Sequence, residues 1–381
     1  MTKTSIRQAA IAGGGIAGLS AAIALAQRGW QVRVHERSPT LRPEGAGIYI
    51  WENGLRVLRA LGADEDALEG CHRGWMRETH DDRNRVVAVA HWSAEPGRRV
   101  VSVARLQLLG ALERRALALG VRIDYGSEAV AASAGGEIRL ANGETHKADL
   151  VIAADGVNSK VRDSLGLLRS RTKLADGAIR VMIPRLPEEC SSEEGRKYIE
   201  YWSGIRRILY TPCNQREIYL ALTTLDTDAA AKAVPLNKRV WQDAFPHLAA
   251  LIERIGSDGR WDLFETVKLK QWGLGRVAVI GDAAHAQAPN LGQGGGCSLM
   301  NALALSVALD ETSSIEAGLA LWERRERPLT EHTQRVSALY SRTTVLPPRV
   351  RSAVLGWAGR SSWAMGHRLR AALHVPTGAE P

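Results

Sequence analysis

Cysteine is scarce in this chain of 381 residues: Cys71, Cys190, Cys213 and Cys297 lie far apart and form no C-x-x-C pair. That distribution excludes a disulfide framework and a zinc cluster, and it suits a reducing cytoplasm. Long apolar runs are missing too. The most apolar stretch, Cys297–Leu309, is too short to span a bilayer and is interrupted by Asn301, so no membrane association is expected. There is no collagen period, no low-complexity tract and no repeat of fixed length. Zinc-binding spacings, RNP-like motifs and basic–aromatic interleaving are absent, which removes nucleic acid as the expected partner despite a net charge of +9. Much of that charge sits in the tail, where residues 328–381 carry seven Arg against Glu331 and Glu380. No metal site, H-E-x-x-H helix, Ser-His-Asp order or carboxylate dyad stands out, so the hard chemistry is expected to come from a cofactor.

What is present begins at once. Lys3 and Arg7 followed by apolar residues imitate a signal peptide, but three glycines interrupt the run. Gln8–Ala12 reads as a strand, Gly13-Gly14-Gly15-Ile16-Ala17-Gly18 as a phosphate-binding turn, and Leu19 to Arg28 as a helix. A second apolar strand, Gln31–His35, ends in Glu36, 18 residues beyond Gly18. Gly13 permits the tight turn, Gly15 lets a pyrophosphate approach, and Gly18 lets helix and strand pack closely. A carboxylate at Glu36 can accept hydrogen bonds from both ribose hydroxyls. NAD and FAD both use this unit, so the motif does not choose between them, and neither does the adjoining Arg37.

Two later motifs add the missing information. Residues 148–162 read as a strand running through Asp155-Gly156 into a helix capped near Asn158 or Ser159. Residues 276–285 form another buried strand ending in Gly281-Asp282, followed by Pro289 and Gly292-Gln293-Gly294 at the mouth of an apolar helix. Together with the first motif, and in this order, they resemble the group A, single-component FAD-dependent aromatic monooxygenases over residues 8–330.

The resemblance implies an α/β fold: a Rossmann-like FAD-binding domain with an inserted, mostly β substrate domain and a C-terminal helical segment. The FAD domain would take roughly residues 1–70, 98–170 and 272–328, the substrate domain 71–97 and 171–271, and the terminal helices 329–381, with a break at Pro347-Pro348 and loose final residues. It implies FAD contacts at Gly13, Gly15, Gly18, Glu36, Arg37, Arg42, Gly47, Arg105, Asp155, Asp282, Gly292, Gln293 and Gly294. FAD would be bound tightly but non-covalently, NADH or NADPH would dock transiently, and O₂ would be consumed. Hydroxylation would run through a flavin C4a-hydroperoxide.

Within that family the segments 45–58 and 207–214, and the Asn301 variant of the last helix, are similar to the oxygenases of 3-hydroxypyridine carboxylates, some of which open the ring. That likeness implies substrate contacts at Arg180, Arg207, Tyr219 and Pro289, with Tyr219, Arg207 and Tyr49 nearest the chemistry. The residues agree in kind. Arg206 and Arg207 lie in an alternating strand and must point to opposite faces, and an inward arginine needs an anion, which a substrate carboxylate would provide. One departure concerns Arg77, where those oxygenases carry a tyrosine; it faces either the substrate or solvent. Trp75, Trp92, Trp202, Trp261 and Phe264 are candidates for aromatic walls, and His285 is expected to be structural.

The expected substrate is therefore a small hydroxylated aromatic or N-heteroaromatic acid, handled by a monomer or homodimer. The alternatives are hydroxylation or epoxidation of a larger natural product, and a non-enzymatic FAD-containing redox sensor.

Overall fold

The computed structural model describes residues 6–41, 46–92, 97–257 and 259–380. Its central sheet has six strands in the order Gly273–Leu274, Val277–Val279, Leu150–Ala153, Gln8–Ala12, Gln31–Glu36 and Arg122–Tyr125. All neighbours pair in parallel except the antiparallel edge strand Gly273–Leu274. Strands covered on both faces read as continuous apolar runs, and Leu150–Ala153 and Val277–Val279 are buried throughout. The helix Ile16–Ala26 lies on this sheet and packs against the helix Gly294–Asp310. Gly18 explains how close helix and strand come: a Cβ there would stand 2.0 Å from the Gly13 carbonyl oxygen. The strands Gln8–Ala12, Gln31–Glu36, Leu150–Ala153 and Val277–Val279 all end at one edge, where an open parallel sheet binds its ligand.

A second sheet of seven strands follows the order Trp261–Leu269, Leu168–Pro184, Glu217–Leu225, Arg206–Pro212, Tyr198–Ser203, Met76–His80 and Val86–His91. One face carries Ile199, Tyr201, Ile208, Tyr210, Leu220 and Leu222 into an apolar cluster with Trp241, Phe245 and Ile252. Period-two alternation then puts Tyr198, Glu200 and Trp202 on the opposite face, toward the first sheet. A short three-stranded sheet, Gly47–Trp51, Val100–Ala104 and His72–Arg73, bridges the two.

The C-terminal helices differ from the sequence-based expectation in two respects. The helix Ile315–Ser341 runs through position 329 with Pro328 inside it. Proline removes one helical N–H, yet the helix is anchored on one buried face by Trp322, Thr330, Thr333, Gln334 and Ser337. After a break at Pro347 come the helices Pro348–Arg360 and Ser362–Leu369. The residues beyond them are packed: Ala371, Ala372 and Ala379 are buried, the Ala372 carbonyl accepts the Asn53 amide at 3.0 Å, and Thr377 donates to Glu326 at 3.0 Å. Small alanine side chains let this segment lie flat on the core, so it is not loose.

Candidate active site

At the edge where the parallel strands end, the Gly13–Gly15 turn opens onto a cavity of about 600 Å³. Gly13 has φ +102°, and a Cβ on it would come within 2.4 Å of the Ala154 carbonyl oxygen. Gly15 caps the helix Ile16–Ala26, and a Cβ there would meet nothing within 4 Å, so its open side faces the cavity. No acidic residue stands in the first turn of that helix to compete for an anion. Glu36 accepts the Gly14 amide and the Ser38 amide, and Arg37 lies exposed on the same cavity wall. Asp155 lines it as well, its carboxylate holding the Ser159 hydroxyl at 2.5 Å and the Val161 amide at 3.2 Å, while Ser159 caps the helix Lys160–Ser164. Burial raises the Asp155 carboxyl above its usual range, opposed by these hydrogen bonds.

A second cavity of about 320 Å³ adjoins the first, within the usual range for small-molecule sites. Gly15, Arg105, Arg180, Asp282, Gln287 and Pro289 line both, which makes them one continuous channel. Arg105 begins the helix Arg105–Ala118, and its amide donates to the Ala46 carbonyl at 3.1 Å. Asp282 stands open at the junction of the cavities, yet deep within the molecule. That enclosure pushes its carboxyl up, and the positive charges of Arg105 and Arg180 oppose the shift. The turn Pro289–Leu291 is held from behind by the helix Ile315–Ser341: Asn290 donates to the Ser337 carbonyl and the Ser341 hydroxyl, and Ser337 donates to the Ala288 carbonyl. Gly292 (φ +61°) ends that turn, and Gly294 opens the helix Gly294–Asp310 with its Cβ direction facing empty space. Gln293 points the other way, into the core, where its side chain accepts from Asn53 at 3.0 Å. Gly47 lines the smaller cavity, and its backbone is wedged so closely that a Cβ would lie 2.5 Å from that of Tyr219. Arg42 lies outside the described residues.

The channel fits FAD. Two helix N-termini without acids in their first turns converge on it, glycines leave open space at both, and a carboxylate waits at each end of the nucleotide-sized cavity. Gly13–Gly18 and Glu36 would hold the adenosine diphosphate half, Asp282 the ribityl chain, and the Pro289–Gly294 segment would border the ring.

The far end of the channel is the smaller cavity. Its walls include Trp51, Trp92, Tyr198, Phe264 and Pro289. Trp51 and Trp92 pack edge to face, with ring centroids 4.9 Å apart. Trp261 lines the larger cavity instead, Trp75 lies on the surface, and Trp202 sits beneath Arg207 with its ring centroid 5.1 Å from the guanidinium carbon. Tyr49 is spent on the protein: its hydroxyl shares a 2.5 Å hydrogen bond with Thr211. The Tyr219 hydroxyl, in contrast, makes no hydrogen bond among the described residues, and Tyr219 lines the cavity. Burial pushes its phenol up to about 12, against the pull of Arg180, so it stays protonated and can donate.

Arg207 does face inward, and Arg206 faces the other side, bonded to Asp228 and the Val240 carbonyl. The anion for Arg207 is not left to a ligand, which corrects the expectation from sequence. Glu200, 1% exposed, accepts from Arg207 at 3.1 Å, from Arg77 and from the Tyr340 hydroxyl. Arg180 is similarly paired with Asp262 at 2.7 Å. Burial alone would raise the Glu200 carboxyl, but Arg77, Arg207 and Tyr340 outweigh it and hold it below the ordinary value. Glu200, Tyr340 and Asn290 had no local sequence signal. Their partners lie on other strands or on the helix Ile315–Ser341, and Glu200 itself sits in a run, Tyr198–Ser203, that otherwise reads as buried strand.

His285 is enclosed in the core, its Nε2 2.9 Å from the Asn301 side-chain nitrogen, and burial lowers it to about 4. It touches neither cavity wall. Asn301 also has Thr330 for a neighbour, so the helix variation noted in the sequence belongs to this polar core cluster.

Residues 7–337 match the family model described as FAD binding domain, and the chain belongs to that family. It is an FAD-dependent aromatic monooxygenase, of the class that uses NAD(P)H and O₂. The chain is 39% identical over 355 residues to the 2-heptyl-3-hydroxy-4(1H)-quinolone synthase of Mycobacteroides abscessus, covering 93% of this chain and 95% of that one. AqdB1 of Rhodococcus erythropolis, whose name proposes the same activity, is 46% identical over 370 residues, covering 97% of each chain. Among solved structures, the tetrameric form of 2-methyl-3-hydroxypyridine-5-carboxylic acid oxygenase superposes with a TM-score of 0.87 at 42% identity, covering 97% of this chain and 96% of that chain. No helix of the described residues is long and apolar enough to cross a membrane.

Proposed function

We propose that the protein hydroxylates an electron-rich N-heteroaromatic ring bearing a hydroxyl or oxo group, with NAD(P)H as reductant. The observation that carries this reading is the Tyr219 hydroxyl, which makes no hydrogen bond among the described residues, in an aromatic-walled cavity that adjoins the FAD channel. Bound FAD supplies the oxygen-transfer chemistry. The protein's own part is placement. Trp51, Trp92, Tyr198 and Phe264 enclose a flat ring and exclude water, and Tyr219 donates a hydrogen bond to the ring oxygen. The Pro289–Leu291 turn, braced by Ser337 and Ser341, keeps that ring at a fixed distance from the cofactor end of the channel.

Two kinds of ring suit this reading: a 2-alkyl-4-quinolone, after the quinolone synthases, and a 3-hydroxypyridine carboxylate, after the pyridine oxygenase. Either would be flat enough for the aromatic walls. The test is NADH and NADPH consumption by the FAD-loaded protein with 2-heptyl-4(1H)-quinolone and with 2-methyl-3-hydroxypyridine-5-carboxylate, taking product masses on the same samples. Stimulated consumption with a product heavier by oxygen supports the reading and selects the ring. Indifference to both rings refutes it.

A further inference from the structure

The floor of the smaller cavity holds three charges on three adjacent strands. Glu200 lies in the middle strand, Tyr198–Ser203. Arg207, on the neighbouring antiparallel strand, pairs across from Trp202, and Arg77, on the parallel neighbour, pairs across from Tyr198. Positions 198, 200 and 202 share one face, so the two arginines approach Glu200 from opposite diagonals. Arg207 Nη1 donates to Glu200 Oε1 at 3.1 Å, Arg77 Nη2 donates to Oε2, and the Tyr340 hydroxyl reaches both oxygens at 3.0 and 2.9 Å. All three charged side chains line the cavity. Arg207 is further tied to Asn290 at 2.8 Å and rests on Trp202. A second carboxylate, Asp176, is fully buried and feels the Arg207 charge, and Arg180 carries its own partner, Asp262.

A guanidinium pair on a cavity floor is the device by which proteins capture a carboxylate, usually through a two-pronged contact. Here a side chain of the protein already occupies the oxygen positions that such a carboxylate would take. A carboxylated ring would have to displace Glu200 or place a second anion beside it, and like charges in a low-dielectric enclosure repel strongly. An uncharged ring meets no such obstacle.

We propose that Glu200 is a specificity-determining residue: it serves as the built-in counter-anion of Arg77 and Arg207 and thereby sets the ring-binding cavity for uncharged rather than carboxylated N-heteroaromatic substrates. This rests on the ring-hydroxylase reading above and narrows it to the neutral member of the pair. Replacing Glu200 by Gln keeps the shape and the contact with Tyr340 but frees both guanidinium groups for an incoming acid.

The experiment is a calorimetric titration of the FAD-loaded protein with 2-methyl-3-hydroxypyridine and with its 5-carboxylate, two rings that differ only in the acid group. Wild type is expected to bind the uncharged ring at least as tightly as the acid. E200Q is expected to move the ratio of the two affinities toward the acid by about tenfold or more, the effect of one charge-assisted hydrogen bond. E200D keeps the negative charge and should retain the wild-type preference. An unchanged ratio in E200Q overturns the proposal. So does a wild-type preference for the acid of about tenfold or more, or failure of wild type to bind either ring, and these wild-type outcomes decide the matter if E200Q does not fold. Binding is read without turnover, so a protein that binds in the expected order but oxygenates neither ring refutes the hydroxylase reading and leaves the role of Glu200 standing.

Discussion

Glu36 turns one carboxylate oxygen onto the Gly14 amide at 2.7 Å and the other onto the Ser38 amide at 2.9 Å. The acid at the end of the second strand therefore shapes the glycine turn before any ribose arrives. Its loss removes a preorganised loop together with a ligand contact. Glu36→Ala is expected to weaken FAD binding by roughly 10- to 100-fold, the worth of one or two hydrogen bonds to a charged group. Fluorescence titration of the apoprotein with FAD measures this, and unchanged affinity would show that the turn is set by the glycines alone.

Gly15 and Gly18 have opposite surroundings. A Cβ at Gly18 meets the Gly13 carbonyl oxygen at 2.0 Å, whereas one at Gly15 meets nothing within 4 Å. Gly18→Ala should destabilise the apoprotein by about 1–3 kcal/mol through overpacking, lowering Tm by several degrees. Gly15→Ala should leave the apoprotein Tm nearly unchanged and reduce FAD affinity. Thermal melts with and without FAD separate the two, and equal melting losses in both variants would contradict the assignment.

Tyr219→Phe removes a hydroxyl that no described residue uses. Stability should be unaffected, while kcat/KM for the ring substrate should fall by about tenfold, the value of one hydrogen bond made to the substrate. If Tm drops as well, the hydroxyl has a structural partner and the role assigned to it is wrong.

Three histidines, two of them fully buried and His72 partly so, make stability depend on pH. Burial lowers His285, His35 and His72 to about 4, from an ordinary value of 6.5. Between those values the unfolded chain binds protons that the folded chain refuses, so folding stability is present above about 6.5 and is lost as pH falls toward 4. Each such group contributes a slope of about 1.4 kcal/mol per pH unit at most. Carboxyls raised by burial, Asp155, Asp176, Asp282 and Glu326, act in the opposite sense. Urea unfolding of wild type and His285→Gln from pH 7.5 to 4.5 isolates one group, and the variant should show the shallower loss.

The cofactor end of the molecule was legible in the sequence because its signals are local. Gly13, Gly15, Gly18 and Glu36 belong to one strand–turn–helix–strand unit whose spacing is dictated by the pyrophosphate it approaches. Alternation also put Arg206 and Arg207 on opposite faces, but it was the family resemblance that singled out Arg207 as the inward one. Its partner was not legible. Glu200 comes from the neighbouring strand, Arg77 from a strand more than a hundred residues earlier and Tyr340 from the helix Ile315–Ser341, and no periodicity links them. The packed terminus escaped for a similar reason: Ala371, Ala372 and Ala379 carry too little apolar surface to announce burial, and Asn53, whose amide meets the Ala372 carbonyl, lies in the helix Glu52–Leu61, far away in sequence.

The order of strands in the parallel sheet also bears on how the molecule is made. Gln8–Ala12 finds its first partner, Gln31–Glu36, almost immediately, and its second, Leu150–Ala153, much later. The strand Val277–Val279, which covers the flank of Leu150–Ala153, comes later still. At roughly 5–20 residues per second of synthesis, the interval from Leu150–Ala153 to this strand is on the order of 6 to 25 seconds. For that time the nascent sheet carries an unpaired edge, and five strands of the seven-stranded sheet are made in the gap. Residues 150–153 are therefore one edge at which a ribosome-bound chain is open to wrong pairing, and where a chaperone would change the yield of folded protein.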